Sequence, residues 1–290
     1  MIRIGTAGWS YDDWKGVVYP ERSPKGFQPL TYLSKYFDTI EINSTFYRPP
    51  TPKLSLGWVQ KTQHNPNFRF TLKLWRGFTH ERDKQHEHEE RLFKDGIAPI
   101  ADGHLLGAIL IQFPYSFKNT LSSIQHLESL IARFEQYPLI VEVRHTSFSR
   151  DDFFDFLRAR NVGFCNIDQP IIGYSLKPSS FLTSRIGYVR FHGRNYKNWF
   201  GESSNSALRY DYLYSSEELN PWIDKIKKMA QESVDLFVIQ NNHFRGKGVC
   251  NGLELKHALS KEKVPVPPLL AKAYPERLLP IMADVIEEED

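Results

Sequence analysis

The sequence predicts an α/β protein folded as a single TIM (β/α)8 barrel with eight parallel strands, and three observations predict it. Short β-branched runs recur eight times along the 290 residues. Helical patterns fill most of the gaps between them. Within the runs, apolar and polar side chains alternate, with charge gathered on one parity. Strands that alternate with helices pair in parallel through right-handed crossovers, and eight such units close into a barrel. The length suits one domain spanning residues 1–290.

The strands are expected at 2–5, 39–43, 69–75, 107–114, 139–145, 162–168, 186–193 and 235–242. Between the second and third, Thr51-Pro52 supplies an N-cap followed by proline at the first helical position. Between the fourth and fifth, Leu121, Ile124, Leu127, Ile131 and Phe134 form an apolar stripe at helical spacing. Ser149 with Asp152 reads as a capping box ahead of Phe153, Phe154, Phe156 and Leu157. Ser215 with Glu218 reads the same way ahead of Leu219, Trp222, Ile226 and Met229. An eighth helix is expected near 248–259. The connection after strand six should be irregular, because Pro170, Gly173 and Pro178 interrupt it. A long loop follows strand seven. Residues from about 262 to 290 read as a proline-containing tail with a frayed acidic end.

Composition narrows the classes. With 41% hydrophobic and 24% charged residues the chain reads as globular. A net charge of +3 is too small for a nucleic-acid coat, so a nucleic-acid partner is not expected and any anion preference must be local. The first residues read as a strand and not as a signal peptide. No apolar run reaches the ~20 residues of a membrane span, so no membrane partner is expected. Cys165 and Cys250 match no redox or metal spacing. They read as packing thiols, and the cytoplasm is the expected compartment.

Alternation along the strands makes the functional prediction. Ile40 and Ile42 alternate with Glu41 and Asn43; Leu72 and Leu74 with Thr71, Lys73 and Trp75; Val141 and Val143 with Glu142 and Arg144. Val189 and Phe191 alternate with Arg190 and His192, and Phe237 and Ile239 with Gln240 and Asn242. Helices must cover the apolar parity, so the polar parity is expected inside, near the C-terminal rim where barrel sites lie. Glu41, Glu142 and Asp168 should then face Lys73, Arg144 and Arg190, with His192 nearby. Hydrophobic filling would stabilise a barrel at least as well as ion pairs, so so many ionised groups point to ligand contact.

Loops at the same rim add candidates. The first carries Gly5, Gly8 and Trp9, and the second carries Asn43 and Tyr47 ahead of Pro49-Pro50. The loop after strand seven holds Arg194, Tyr196, Lys197, Trp199 and Phe200 and reads as a lid, with cations and rings suited to an anionic ligand. The eighth loop, from Asn241 and Asn242 to Gly248, opens a helix whose N–H groups attract anions. The acidic and histidine-rich run from His80 to Glu90 lacks HExxH spacing and reads as a solvated helix face. His80 stands apart as a site candidate, and no metal site or cofactor is predicted.

These residues carry a family resemblance. The segments GTAGWSYDDWKG from Gly5, EINSTFY from Glu41, the Thr79-His80 pair and QFP from Gln112 belong to it. So do VEVRH from Val141, VRFHG from Val189 and QNNH from Gln240. They resemble the family catalogued as domain of unknown function 72, the YecE-like and YunF-like proteins. The resemblance runs from the first strand to the eighth and implies a TIM barrel, but it carries over no established activity. Where some relatives have phenylalanine before the Asn-Asn pair, this chain has Gln240, expected to alter the pocket floor.

The expected function is an enzyme that acts on a small phosphorylated or carboxylate substrate by acid–base chemistry. Glu142 and His192 are the acid–base candidates, with Lys73, Glu41 and Asp168 as further catalytic groups. Arg144, Arg190, Asn43, Tyr47, Gln112, Tyr196, Asn241, Asn242, Trp9 and His80 are the substrate-binding candidates. One alternative is a divalent-metal hydrolase or isomerase using Glu41, Glu142, Asp168 and His192. The other is a non-catalytic module binding a ligand or nucleic acid.

Overall fold

In the computed structural model, residues 1–81, 86–199 and 206–283 are described. Eight parallel strands close into a barrel in sequence order: β1 (Ile2–Ala7), β2 (Thr39–Ile42), β3 (Arg69–Lys73), β4 (Leu106–Gln112), β5 (Leu139–Glu142), β6 (Gly163–Asp168), β7 (Ile186–Phe191) and β8 (Asp235–Gln240). β8 pairs back onto β1 through Ile2↔Leu236 to Thr6↔Gln240, which leaves no open edge.

The helices follow as α1 (Pro29–Leu33), α2 (Ser44–Tyr47), α3 (Pro52–Thr62), α4 (Arg76–Thr79), α5 (Glu87–Asp102) and α6 (Leu121–Phe134). Next come α7 (Asp151–Arg158), α8 (Ser216–Glu232), α9 (Lys247–Ser260), α10 (Pro268–Ala273) and α11 (Pro275–Leu278). Thr51 caps α3 by accepting from the Leu54 amide at 3.3 Å, and Ser215 with Glu218 completes a capping box on α8. Residues 169–185 contain no helix, as their prolines and glycine predict.

Several local expectations are corrected. α7 begins at Asp151 behind Arg150, without a side-chain cap, because Ser149 closes a preceding 3-10 turn. Leu121 begins α6 but is 77% exposed; Leu130 joins Leu127, Ile131 and Phe134 on the buried face instead. His86 is not solvated. Its ring lies edge-on to Trp75 and Phe78 at 4.9 and 5.8 Å, just ahead of α5. The segment after 262 is more ordered than a tail: α10 and α11 bury Leu270 and Leu278. The acidic end from residue 284 lies outside the described residues.

The barrel interior is layered. Arg3 occupies the N-terminal end, where its Nε meets Asp235 at 3.0 Å. Above it Phe237 and Tyr188 fill the middle, with ring centroids 6.0 Å apart. Phe237 reaches across to Gly107, where a Cβ would lie 2.3 Å from its ring, so only glycine fits. That position overturns the parity expected for β8. Phe237 and Ile239 pair in register with Tyr188 and Arg190 and face inward. Gln240 and Asn242 face α9: Gln240 packs on Gly248 and Gly252, and Asn242 Nδ2 donates to Asn251 at 2.9 Å. An eight-stranded barrel has an interior just wide enough for side chains, so a bulky apolar ring fills its middle layer as readily as it covers a helix.

Candidate functional site

Polar side chains crown this apolar stack at the C-terminal end. Arg190, on β7, is buried and donates from Nη1 to Glu142 Oε2 at 2.6 Å and from Nη2 to Glu41 Oε1 at 2.7 Å. Tyr188 Oη lies 2.9 Å from the other oxygen of Glu41 and 2.8 Å from Thr71 Oγ1. Arg144 lies two residues past Glu142, on the same parity. Its Nε and Nη2 reach Glu142 Oε1 at 3.1 and 3.0 Å. All four carboxylate oxygens are therefore occupied by Arg190, Tyr188 and Arg144.

Lys73 is the cation left over. Among the described residues no carboxylate lies within the 4 Å of an ion pair from its amine, and Nζ sits over the Phe46 ring, 3.7 Å from its centroid. Burial and the positive charges of Arg190 and Arg144 push the Lys73 pKa down to about 7, against a smaller pull from Glu142 and Glu41. Burial would raise the Glu142 carboxyl, but Arg190 and Arg144 outweigh it and hold Glu142 well below the usual carboxylate range. His192 is fully buried, and burial pushes its pKa down to about 3. Its Nδ1 accepts from Asn241 Nδ2 at 2.9 Å, which leaves Nε2–H facing Glu142 Oε1 at 3.2 Å without good hydrogen-bond alignment. The cluster thus sets Glu41 and Glu142 against Arg144 and Arg190, while burial pushes the His192 ring and the Lys73 amine toward their neutral forms.

A cavity of about 500 Å³ opens over this cluster. Lys73, Arg144, Arg190, Asn43 and Asn241 supply its polar lining. Trp9, Tyr11, Phe46, Tyr47, Tyr210 and His243 form its aromatic walls. The first loop turns at Gly8, whose positive φ of 86° favours glycine and whose amide donates to the Glu41 carbonyl at 2.8 Å. That turn seats Tyr11 flat against His243, with ring centroids 4.1 Å apart. On the opposite side Trp199, from the loop after β7, is buried 5.7 Å from the Arg144 guanidinium and 6.1 Å from the His192 ring. The expected lid includes Phe200 and Gly201, which lie outside the described residues.

The structure thus brings together Glu41, Lys73, Glu142, Arg144, Arg190 and His192, with Asn43, Tyr47, Trp9 and Asn241 at the cavity. It does not bring in five others. Asp168 has the opposite parity on β6 and faces the helix layer, where it accepts from Arg194 at 2.8 and 2.6 Å, Tyr214 at 2.8 Å and Trp222 Nε1 at 2.7 Å. Its position at the strand end concealed this, since the partners Tyr214 and Trp222 come from a distant segment. Asn242 faces α9, as described above. Tyr196 is 55% exposed, its hydroxyl 3.4 Å from the Ile171 amide. His80 lies behind Phe46, with rings edge-on at 5.1 Å and Nδ1 2.8 Å from Thr79 Oγ1. Gln112 is inward in register with Glu142 but turns its amide to the Phe113 carbonyl, outside the cavity lining.

Sequence reading missed Tyr188, Tyr11, Phe46, Tyr210 and His243. Tyr188 shares the parity of Arg190 and His192, so extending the alternation two residues back would have found it. His243 lies two residues past Asn241, on the same parity. Tyr210 carried no signal in the sequence. No three His, Cys, Asp or Glu side chains among the described residues converge as a metal set.

Fold and site together define a TIM-barrel protein with a charged, aromatic-walled pocket at the C-terminal face of the barrel. The chain belongs to the DUF72 family: the profile described as "Protein of unknown function DUF72" matches residues 3–276. It is 27% identical over 276 residues to the UPF0759 protein YunF of Bacillus subtilis, covering 90% of this chain and 96% of that one. Against the UPF0759 protein YecE of Escherichia coli it is 29% identical over 151 residues, 51% of this chain and 50% of that one. A DUF72 family protein from Thermotoga maritima superposes with a TM-score of 0.78 at 33% identity, covering 90% of this chain and 99% of that one. One from Enterococcus faecalis, 24% identical with a TM-score of 0.79, covers 90% of this chain and 96% of that one and shares the fold.

Proposed function

We propose that the protein is an enzyme acting on a small anionic substrate, phosphorylated or carboxylate, in the cavity over Glu41, Lys73, Glu142, Arg144 and Arg190. One observation carries this reading. The oxygens of Glu41 and Glu142 are already engaged, so the cavity wall presents the permanent charge of an Arg144 that reaches the opening, beside a Lys73 amine with no carboxylate of its own. A preorganised guanidinium beside aromatic walls suits a small anion with an apolar or ring face.

The acid–base role moves within the expected set. Glu142 is held as a carboxylate by two guanidiniums, and His192 is buried behind it as a neutral ring, so both position other groups. Lys73 has a pKa near the operating pH and reaches the cavity, which suits proton transfer. The alternative metal set of Glu41, Glu142, Asp168 and His192 is not assembled, because Asp168 lies on the outer face of β6. A cytoplasmic location is part of this proposal, supported by the free, buried thiols of Cys165 and Cys250. Among the described residues no helix is long and apolar enough to cross a membrane.

A thermal-shift series with inorganic phosphate and small carboxylates tests the reading. Ligands stabilise by mass action, about 2.7 kcal/mol at a hundredfold excess over Kd. The shift should disappear in Arg144→Ala. Arg144 is the better probe than Arg190, whose removal would leave buried Glu41 without a cation and Glu142 with Arg144 alone. No shift with any anion, or an equal shift in the variant, overturns the proposal.

A further inference from the structure

We propose that Lys73 is a nucleophilic amine that forms an iminium with the carbonyl carbon of a small oxo acid, while Arg144 holds the acid's anionic group. This rests on the reading of the cavity as an anion-binding enzyme site and specifies its substrate class.

The arrangement around Lys73 is what selects a carbonyl. Glu41 and Glu142 direct their oxygens to Arg190, Arg144 and Tyr188, and none is left within ion-pair reach of Lys73. Two guanidiniums therefore oppose an ammonium at this position without a dedicated counter-charge. An amine beside other cations in a desolvated site loses its proton readily and becomes a nucleophile. Its lowered pKa agrees with that expectation. A neutral amine cannot hold an anion by charge, so its contribution on the cavity wall is its lone pair. Arg144 supplies the permanent charge. The Phe46 ring, 3.7 Å from Nζ, offers its face to the cation that iminium formation creates.

The step balances without an oxidant or reductant. The Nζ lone pair bonds to the carbonyl carbon and the C=O π pair moves to oxygen. A proton passes from nitrogen to that oxygen, giving a carbinolamine. The C–O bond then breaks and the oxygen leaves as water after taking one more proton from solvent. Amine, carbonyl compound and one proton thus become iminium and water.

Borohydride trapping tests this directly in the full-length protein. Wild type is incubated with glyoxylate or pyruvate, reduced with sodium borohydride, and mapped by peptide mass spectrometry. The expected result is a saturable adduct on Lys73, lost in Lys73→Gln and lowered about tenfold by competing inorganic phosphate, the scale of one charge-assisted contact. Because the adduct is mapped in wild type, a misfolded variant does not remove the test. An adduct confined to surface lysines, or none with either oxo acid, overturns the proposal. If phosphate still stabilises wild type and not Arg144→Ala, the anion-binding reading survives that failure. If phosphate stabilises neither, both readings fall together.

Discussion

Replacing Glu142 by glutamine removes one charge while keeping nearly the same shape, and the structure gives the cost. Glu142 is fully buried and engages Arg190 at 2.6 Å and Arg144 at 3.0 Å, with His192 facing it. The substitution leaves Arg190 with Glu41 alone and Arg144 with no carboxylate. Breaking a buried pair from one side costs about 3–5 kcal/mol. For a chain of this size that lowers Tm by roughly 6–10 °C, at about 2 °C per kcal/mol. Glu128→Gln is the control, because its partner Arg160 forms a surface pair worth about 1 kcal/mol or less. Thermal denaturation followed by circular dichroism compares the two. The pH series adds a sign. The folded carboxyl is held well below its ordinary 4.5, so its stabilisation is complete above pH 4.5 and is lost as pH falls below that value. The gap between wild type and Glu142→Gln should close in acid by up to about 1.4 kcal/mol per pH unit. Equal effects of the two substitutions, or a gap that persists unchanged into acid, would refute the charge network as described.

Lys73 gives a slope of the same sign in a different pH window. Its pKa is about 7 folded and 10.5 as a free side chain, so the unfolded chain binds the extra proton between these values and stability rises with pH across that window. Lys73→Met should flatten this rise in urea titrations at pH 7 to 10, and an unchanged slope would assign it to another group. Gln240 makes no hydrogen bond among the described residues and packs on Gly248 and Gly252 of α9. Gln240→Leu removes an unsatisfied buried amide and should raise stability by about 1 kcal/mol while leaving anion-induced thermal shifts unchanged. A lost shift would place Gln240 inside the cavity after all.

Much of the fold was legible because barrel closure depends on patterns written locally. Each strand announces itself by β-branched residues and each crossover by caps such as Thr51 and Ser215. The inward set on β2, β3, β5 and β7 was legible for the same reason: the outward parity there carries no polar side chain, so Glu41, Lys73, Glu142 and Arg190 had only one side to occupy. That logic failed on β8, where both parities are plausible on either face. Phe237 can fill a barrel or cover a helix, and Gln240 can lie against glycines of α9 without a partner. It failed on β6 because Asp168 is satisfied by Arg194, Tyr214 and Trp222, none of which its own neighbours reveal.

What the sequence by itself determined was the barrel, its eight strands and the convergence of opposite charges near one rim, because side-chain alternation is a property of consecutive residues. Tertiary structure alone decided how those charges share partners. Which carboxylate oxygen meets Arg190, Arg144 or Tyr188 depends on strand register and distances across a closed ring, so the isolation of Lys73 emerges only once every oxygen has been assigned.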